Sequence, residues 1–310
     1  MRARIESAAP TRRAAMAGLA GALLATSGAR AFADPADAPI KVIEFAPGDN
    51  DLLYEAALRK VVPPTGYQSR IALHDSVIRL VRAGVIDLGK FFELQRRTGR
   101  PPSGLTHVLN EPSPSPIRLT RENANTYVNL LWPIGLANRI GGNFSSPLSG
   151  ASLPDFASTS GWSLGDRAEG SGYFNKFPIV ELTFAQEALA IRVAKSTFRP
   201  CCDNSTFFQD CNHGSALFGV LQLGAAQGLD EADLYREALA FNSFWFTDYY
   251  VRTALYFNIV RKQAWDEVAP QEIMGATFST LSSWRRTVET RLGAIPNLIP
   301  ESQQDANCGG

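Results

Sequence analysis

The chain has 310 residues, and its 30 basic and 30 acidic side chains balance to a formal charge of zero. Its apolar fraction of 45% is that of an ordinary globular protein and excludes global disorder, which needs low hydrophobicity and high net charge. No basic stripe is available to neutralise phosphates, so nucleic acid is not an expected partner.

Residues 1–33 have the build of an export signal. Arg2, Arg4, Arg12 and Arg13 form a basic region, Ala14 to Ala25 a short apolar one, and Ala31-Phe32-Ala33 a small-residue cleavage site before Asp34. The apolar run is shorter than the ~20 residues of a spanning helix. Thr11-Arg12-Arg13-Ala14-Ala15-Met16 resembles the twin-arginine signal of bacteria, with Ala15 where a bulky apolar residue is commoner. The resemblance implies the bacterial export machinery as a partner of residues 1–33, delivery of an already folded protein, and a periplasmic or secreted location. Removal of residues 1–33 leaves 25 basic and 29 acidic side chains, a formal charge of −4. No second run in 34–310 is long enough to span a bilayer.

Residues 34–310 read as one mainly α, multi-helix bundle with at most a short N-terminal strand, Lys41 to Phe45. Asp51 is placed to cap a helix through Val61, which Pro63-Pro64 ends. Asp75 or Ser76 opens a second helix that Ala83-Gly84 closes, and Asp87 caps a third carrying Leu88, Phe91, Phe92 and Leu94. Arg100 to Gly104 and Asn110 to Pro116 read as breakers, with His107 between them. A helix opening at Leu119-Thr120 buries Tyr127, Val128, Leu130, Leu131 and Leu136, and Pro133, which cannot donate its backbone hydrogen bond, is expected to kink it near Trp132 or break it there.

From Gly141 to Lys176 glycine and serine dominate, yet Phe144, Phe156, Trp162, Tyr173 and Phe174 recur. Disordered linkers are poor in aromatics, so this reads as a long loop pinned to the body, with the option of acting as a lid. Thr183-Phe184-Ala185-Gln186 has capping-box spacing for a helix to Phe198. Asp210 is placed to cap the next helix, Ser215 to Gln227, where Gly214, Gly219, Gly224 and Ala225 allow another helix to approach closely. Asp230 starts an aromatic helix with Phe241, Phe244, Trp245, Phe246, Tyr249, Tyr250, Tyr256 and Phe257, too many for one face and therefore central. A shorter helix is expected over Ala276 to Leu292.

Three of the four cysteines and one of the three histidines fall between Arg199 and Gly214. Cys201, Cys202, Cys211 and His213 make a ligand set of three thiolates and an imidazole, suited to zinc, copper or an iron–sulfur cluster. Cys211 and His213 lie at a helix start, where free N–H groups lower a thiol's pKa and favour the ligating thiolate. The stretch also resembles the site of the CDGSH iron–sulfur proteins, in the gap from Cys202 to Cys211, the hydroxyl of Ser205, the aromatic Phe208 and the polar Asn212. It departs from them in the adjacency of Cys201 and Cys202 and in a His213 two residues early. That resemblance implies an iron–sulfur centre with redox chemistry.

The alternative is a non-enzymatic binding module stapled by disulfides, with the aromatic helix and the glycine-rich loop forming a ligand groove. Cys211 bonded to Cys201 or Cys202 would close a loop of about ten residues, contributing about 2–3 kcal/mol, and Cys308 would take the cysteine left over. A third reading, Cys211 as nucleophile with His213 as base, is disfavoured because residues two apart diverge by roughly 200° around a helix. His74 and His107 are the remaining candidates to complete a site. No Ser–His–Asp pattern, phosphate-cradling glycine loop, HExxH helix or CxxCH haem motif is present.

Overall fold

The computed structural model describes residues 49–97, 105–150, 153–155, 164–296 and 298–299. The strand expected over Lys41 to Phe45 lies outside them, as does the expected export signal over residues 1–33. The fold is mainly α, as the periodicity predicts, with one two-stranded antiparallel ribbon among the described residues.

At the centre are α4 (Ala124–Ala137) and α6 (Asn212–Ala226), packed against each other more extensively than any other pair of helices. Their closeness depends on two glycines. A Cβ at Gly135 would stand 1.8 Å from the Ser215 carbonyl oxygen, and one at Gly219 would stand 2.4 Å from that of Leu131. Ser215 then donates its hydroxyl to the Trp132 carbonyl at 2.8 Å, satisfying a polar group in the seam. The α4 helix runs uninterrupted through Pro133, and nearly every residue in it is buried. It opens at Ala124 rather than at Leu119-Thr120, because residues 113–119 belong to a strand.

That strand, β2 (Ser113–Leu119), pairs with β1 (Tyr67–His74) through Tyr67 with Leu119, Gln68 with Arg118, Ala72 with Pro116 and His74 with Ser113. The Asn110 to Pro116 segment, expected to be a breaker, therefore supplies the first four residues of β2. Proline cannot donate to a ladder, but a strand with a free edge accommodates it. The other edge of β1 is covered by side chains. Gln227 brackets Ala72, accepting its N–H at 2.9 Å and donating to its carbonyl at 2.8 Å. Glu237 accepts from Tyr67 Oη, Ser69 Oγ and the Arg70 N–H at 3.2, 2.7 and 2.8 Å. An isolated hairpin is marginal in water, and these helix-borne groups satisfy the edge that a third strand would otherwise pair.

Around the centre pack α1 (Asp49–Val61), α2 (Ser76–Arg82), α3 (Leu88–Arg97), α5 (Phe184–Ser196), α7 (Glu231–Trp245), α8 (Thr247–Ile259) and α9 (Pro270–Met274). The Asp87 cap is present, with its carboxylate accepting the Lys90 N–H at 2.8 Å. So are the Thr183/Gln186 capping box and the Asp230 cap. The aromatic segment is two helices, not one: Phe246 breaks it between α7 and α8, with φ −128° and ψ 51°. Tyr250, Tyr256, Phe241 and Phe257 are all fully buried, as an all-round apolar segment requires. The expected helix over 276–292 is a broken run, from Ala276–Ser279 through Leu281–Trp284 and a π turn at Arg285–Glu289 to Thr290–Gly293.

The long excursion after α4 leaves and returns at one place. Asn138 accepts the N–H groups of Ile179 and Val180 and donates to the Val180 carbonyl and to Gln222. Within the loop Tyr173 is fully buried and serves as a pin, its hydroxyl donating to Asp166 at 2.6 Å. Phe144, also expected to pin the loop, is 82% exposed. Phe156 and Trp162 lie outside the described residues.

Candidate functional site

The polypeptide between α5 and α6 closes on itself. Phe198 and Ser205 form an isolated antiparallel bridge, and Thr206 returns to Thr197 through its N–H at 2.9 Å and its hydroxyl at 3.1 Å. The loop so formed is built around Arg199, whose side chain has no exposure to solvent. Each guanidinium nitrogen is spent. Nε donates to Cys211 Sγ at 3.2 Å, Nη1 to the carbonyls of Asn204 and Ser205 at 2.8 and 2.7 Å, and Nη2 to the Phe208 carbonyl at 3.1 Å and to the Asp210 carboxylate. A planar, permanently charged fork is suited to gathering several acceptors in this way. Asn204 completes the network by donating to the other oxygen of Asp210 at 2.6 Å.

Asp210 is thus not the cap of α6. The Ncap is Cys211, whose sulfur accepts the Gly214 N–H at 3.4 Å, and the helix begins at Asn212 rather than Ser215. The carboxylate is drawn away to the buried guanidinium, which leaves the helix start to a thiol. Gly214 is a further condition of the arrangement, because a Cβ there would lie 2.4 Å from Arg199 Cζ.

Cys201 and Cys202 reach the same place from the far side of the loop. The Cys202 carbonyl accepts the Leu281 N–H at 3.1 Å and Asp203 accepts the Ser282 N–H at 2.8 Å, tying this corner to the start of the Leu281–Trp284 helix. The sulfurs of Cys201, Cys202 and Cys211 all lie within 4.8 Å of one another, close enough to hold a metal ion together. The Cys201 and Cys211 sulfurs are 3.9 Å apart, and all three cysteines are free thiols, so the expected staple is not present as a bond. Cys308 lies outside the described residues.

Of the four predicted site residues the structure brings three together. His213 stands outside the sulfur group. Its ring packs 4.6 Å from that of Phe246 and 6.0 Å from that of Trp245. The reason is helical geometry: with Cys211 as Ncap, a residue two positions on points to a different side of the helix. His74, at the end of β1, and His107, on a short 3-10 turn, are exposed and do not join the group either.

The three thiols differ sharply. Cys211 is held well below the ordinary thiol range, chiefly because the Cys201 and Cys202 thiols donate to it, with help from the Arg199 charge and the Gly214 N–H. Cys201 moves the other way, since its proton is engaged with Cys202 and Cys211 and burial penalises its anion. For Cys202 the bond received from Cys201 acts downward, but its own bond to Cys211 and its burial prevail, and it is pushed up to about 11. Of the three, Cys211 is therefore the sulfur that loses its proton first. Burial acts to lower the pKa of Arg199, but the cysteines and Asp210 outweigh it and keep the guanidinium charged. His213 is lowered by burial and is neutral near pH 7.

Arg199 is the functional residue that ligand counting passes over. Its signal is present, as a lone arginine immediately before Pro200 and the cysteine pair, but its role depends on backbone carbonyls brought together only by the loop. No family model matches the chain, and no curated protein or solved structure shows a significant similarity to it. The functional reading therefore rests on the site.

Proposed function

We propose that the chain is an exported, mainly helical protein whose working centre is a soft metal ion held by the thiolates of Cys201, Cys202 and Cys211. The observation that carries this reading is the convergence of three sulfurs from two sides of a loop whose geometry is set by a buried guanidinium. Soft thiolate donors suit zinc and copper(I). A protein-held iron–sulfur cluster takes four ligands, and the described residues supply three, which favours a single ion over a cluster and over the redox role that a cluster would bring. Export rests on the leader, Arg12-Arg13 followed by Ala14 to Ala25 and Ala31-Phe32-Ala33. A twin-arginine route would deliver the protein with its loop already folded and its metal in place.

The test is metal and free-thiol content of protein isolated anaerobically from the compartment in which it accumulates. One equivalent of zinc or copper, lost together with that of the Cys211→Ser variant, is the expected result. Metal-free protein in which all thiols alkylate overturns it.

One observation favours a second reading. At 3.9 Å, the Cys201 and Cys211 sulfurs need only a small rotation to meet, and an oxidising compartment would turn them into a staple. In that case the isolated protein contains neither metal nor a reactive Cys201 or Cys211.

A further inference from the structure

Resting on that three-thiolate reading, we infer that the cluster selects a trivalent thiophilic centre, arsenic(III) or antimony(III) supplied as its neutral hydroxide, over the divalent and monovalent metals. Two features of the site converge on this class.

The first is the donor set. Among the described residues the group close enough to share one ion contains Cys201, Cys202 and Cys211 alone, with no histidine or carboxylate in it. His213, the nearest candidate in sequence, is engaged with Phe246 and Trp245. Zinc held by only three protein ligands must take a water in its fourth position. Arsenic(III) and antimony(III) complete their bonding with three thiolates and keep a lone pair in place of a fourth ligand.

The second is charge. Arg199 is fully buried and already paired with Asp210, so that pair adds no net charge beside the sulfurs. Three thiolates then need three positive charges at their own centre. A trivalent element gives a neutral product, a divalent metal leaves one uncompensated negative charge, and copper(I) leaves two. Uncompensated charge in a partly buried loop is costly, so the neutral product is preferred.

The reaction balances without any redox partner. Arsenous acid, As(OH)3, meets the three sulfurs: three As–O bonds break and three As–S bonds form, two hydroxyls leave as water with the Cys201 and Cys202 protons, and the third leaves from Cys211, the thiolate, as water with a proton taken from solvent. Arsenic stays trivalent throughout, and the three-sulfur product carries no net charge.

The test uses the full chain carrying Cys308→Ser, reduced with a phosphine, so that the only thiols are the three of the cluster. Intact-mass measurement after adding arsenite should show a gain of one arsenic less three hydrogens. In Cys201→Ser, Cys202→Ser and Cys211→Ser the adduct should retain one hydroxyl and be heavier by one water, and should be lost on dilution that the parent adduct survives. In competition, equimolar zinc or copper(I) should fail to displace arsenic. An adduct held by only two thiols in the parent protein, or arsenic displaced by equimolar zinc, overturns the inference while leaving the metal site standing. Failure of arsenite, zinc and copper(I) alike to bind a chain whose three thiols titrate freely overturns both readings.

Discussion

Arg199 Nε donates to Cys211 Sγ across 3.2 Å, and the same guanidinium holds the Asp210 carboxylate, so one buried cation sets both the sulfur and the loop that presents it. Replacing Arg199 with methionine removes the cation and leaves the mostly buried Asp210 charge without its partner. We expect a loss of about 3–5 kcal/mol. Lysine keeps the charge but offers a point in place of a fork, and cannot reach Cys211, Asn204, Ser205, Phe208 and Asp210 together; about 1–3 kcal/mol is the expected loss. Guanidinium denaturation of both variants checks this, and a lysine variant as stable as the parent would show that the fork is not what orders the loop.

Gly214 gives a sharper test because two effects oppose each other. Alanine is favoured over glycine in a helix by up to ~1 kcal/mol. Its Cβ would, however, stand 2.4 Å from Arg199 Cζ, and the guanidinium is held by five acceptors and cannot retreat. The clash should win, with net destabilisation of about 1–3 kcal/mol, the usual range for overpacking. The start of α6 must then move off Arg199 and carry Cys211 with it, so zinc affinity should fall as well. A Gly214→Ala protein more stable than the parent would contradict the placement of Arg199.

The thiol pKa values predict how many protons a metal displaces. Cys211 is held well below the ordinary thiol range and Cys201 and Cys202 above it, so the expected outcome is that Cys211 meets zinc as the thiolate and binding releases about two protons. Affinity should then fall about a hundredfold for each unit of pH lowered, steepening once Cys211 also protonates. The same shifts act on folding. Cys201 and Cys202 have raised folded-state values, so in the metal-free protein they disfavour the fold as pH rises above the ordinary thiol range of ~8.5 toward about 11. Calorimetric titration in buffers of different ionisation enthalpy gives the proton count, and release of about three would show that Cys211 is protonated at rest.

Much of this site is legible in the sequence alone. Cysteine counting finds Cys201, Cys202 and Cys211, and cap chemistry finds Asp87, Thr183 with Gln186, and Asp230, because those signals are local. What stays hidden depends on long-range partners. The Ser-Pro repeat at 113–116 reads as a breaker, since nothing local shows that Gln227 and Glu237, more than a hundred residues later, will cover the partner strand. Asp210 carries a strong cap signal, but a buried arginine eleven residues earlier competes for its carboxylate, leaving Cys211 at the helix start. Phe246 ends α7 inside a run with aromatic residues on both sides, and the only local mark of the break is Thr247-Asp248 just after it.

His213 separates ligand counting from geometry. Its ring lies against Phe246 and Trp245, so phenylalanine should keep the packing and the metal together, with stoichiometry unchanged. Alanine should leave a cavity and cost about 2–4 kcal/mol, again with metal retained once the protein is folded. Metal analysis beside a denaturation curve distinguishes the roles. Loss of metal from a stable His213→Phe protein would restore His213 as the fourth ligand.

Gln227 tests how a two-stranded ribbon survives in a helical protein. Its amide accepts the Ala72 N–H and donates to the Ala72 carbonyl, standing in for one residue of a third strand. Alanine leaves both backbone groups of a residue only 3% exposed without partners, at about 1–3 kcal/mol each when water cannot reach them. Glutamate keeps the acceptor for the N–H but sets a carboxylate oxygen against the Ala72 carbonyl. It should therefore be the worse of the two near neutral pH, and should improve as the pH falls and the carboxyl gains a proton to donate. Hydrogen exchange at the Ala72 amide together with denaturation midpoints at two pH values decides the matter: a glutamate variant indifferent to pH would mean that water, and not Gln227, satisfies the Ala72 carbonyl.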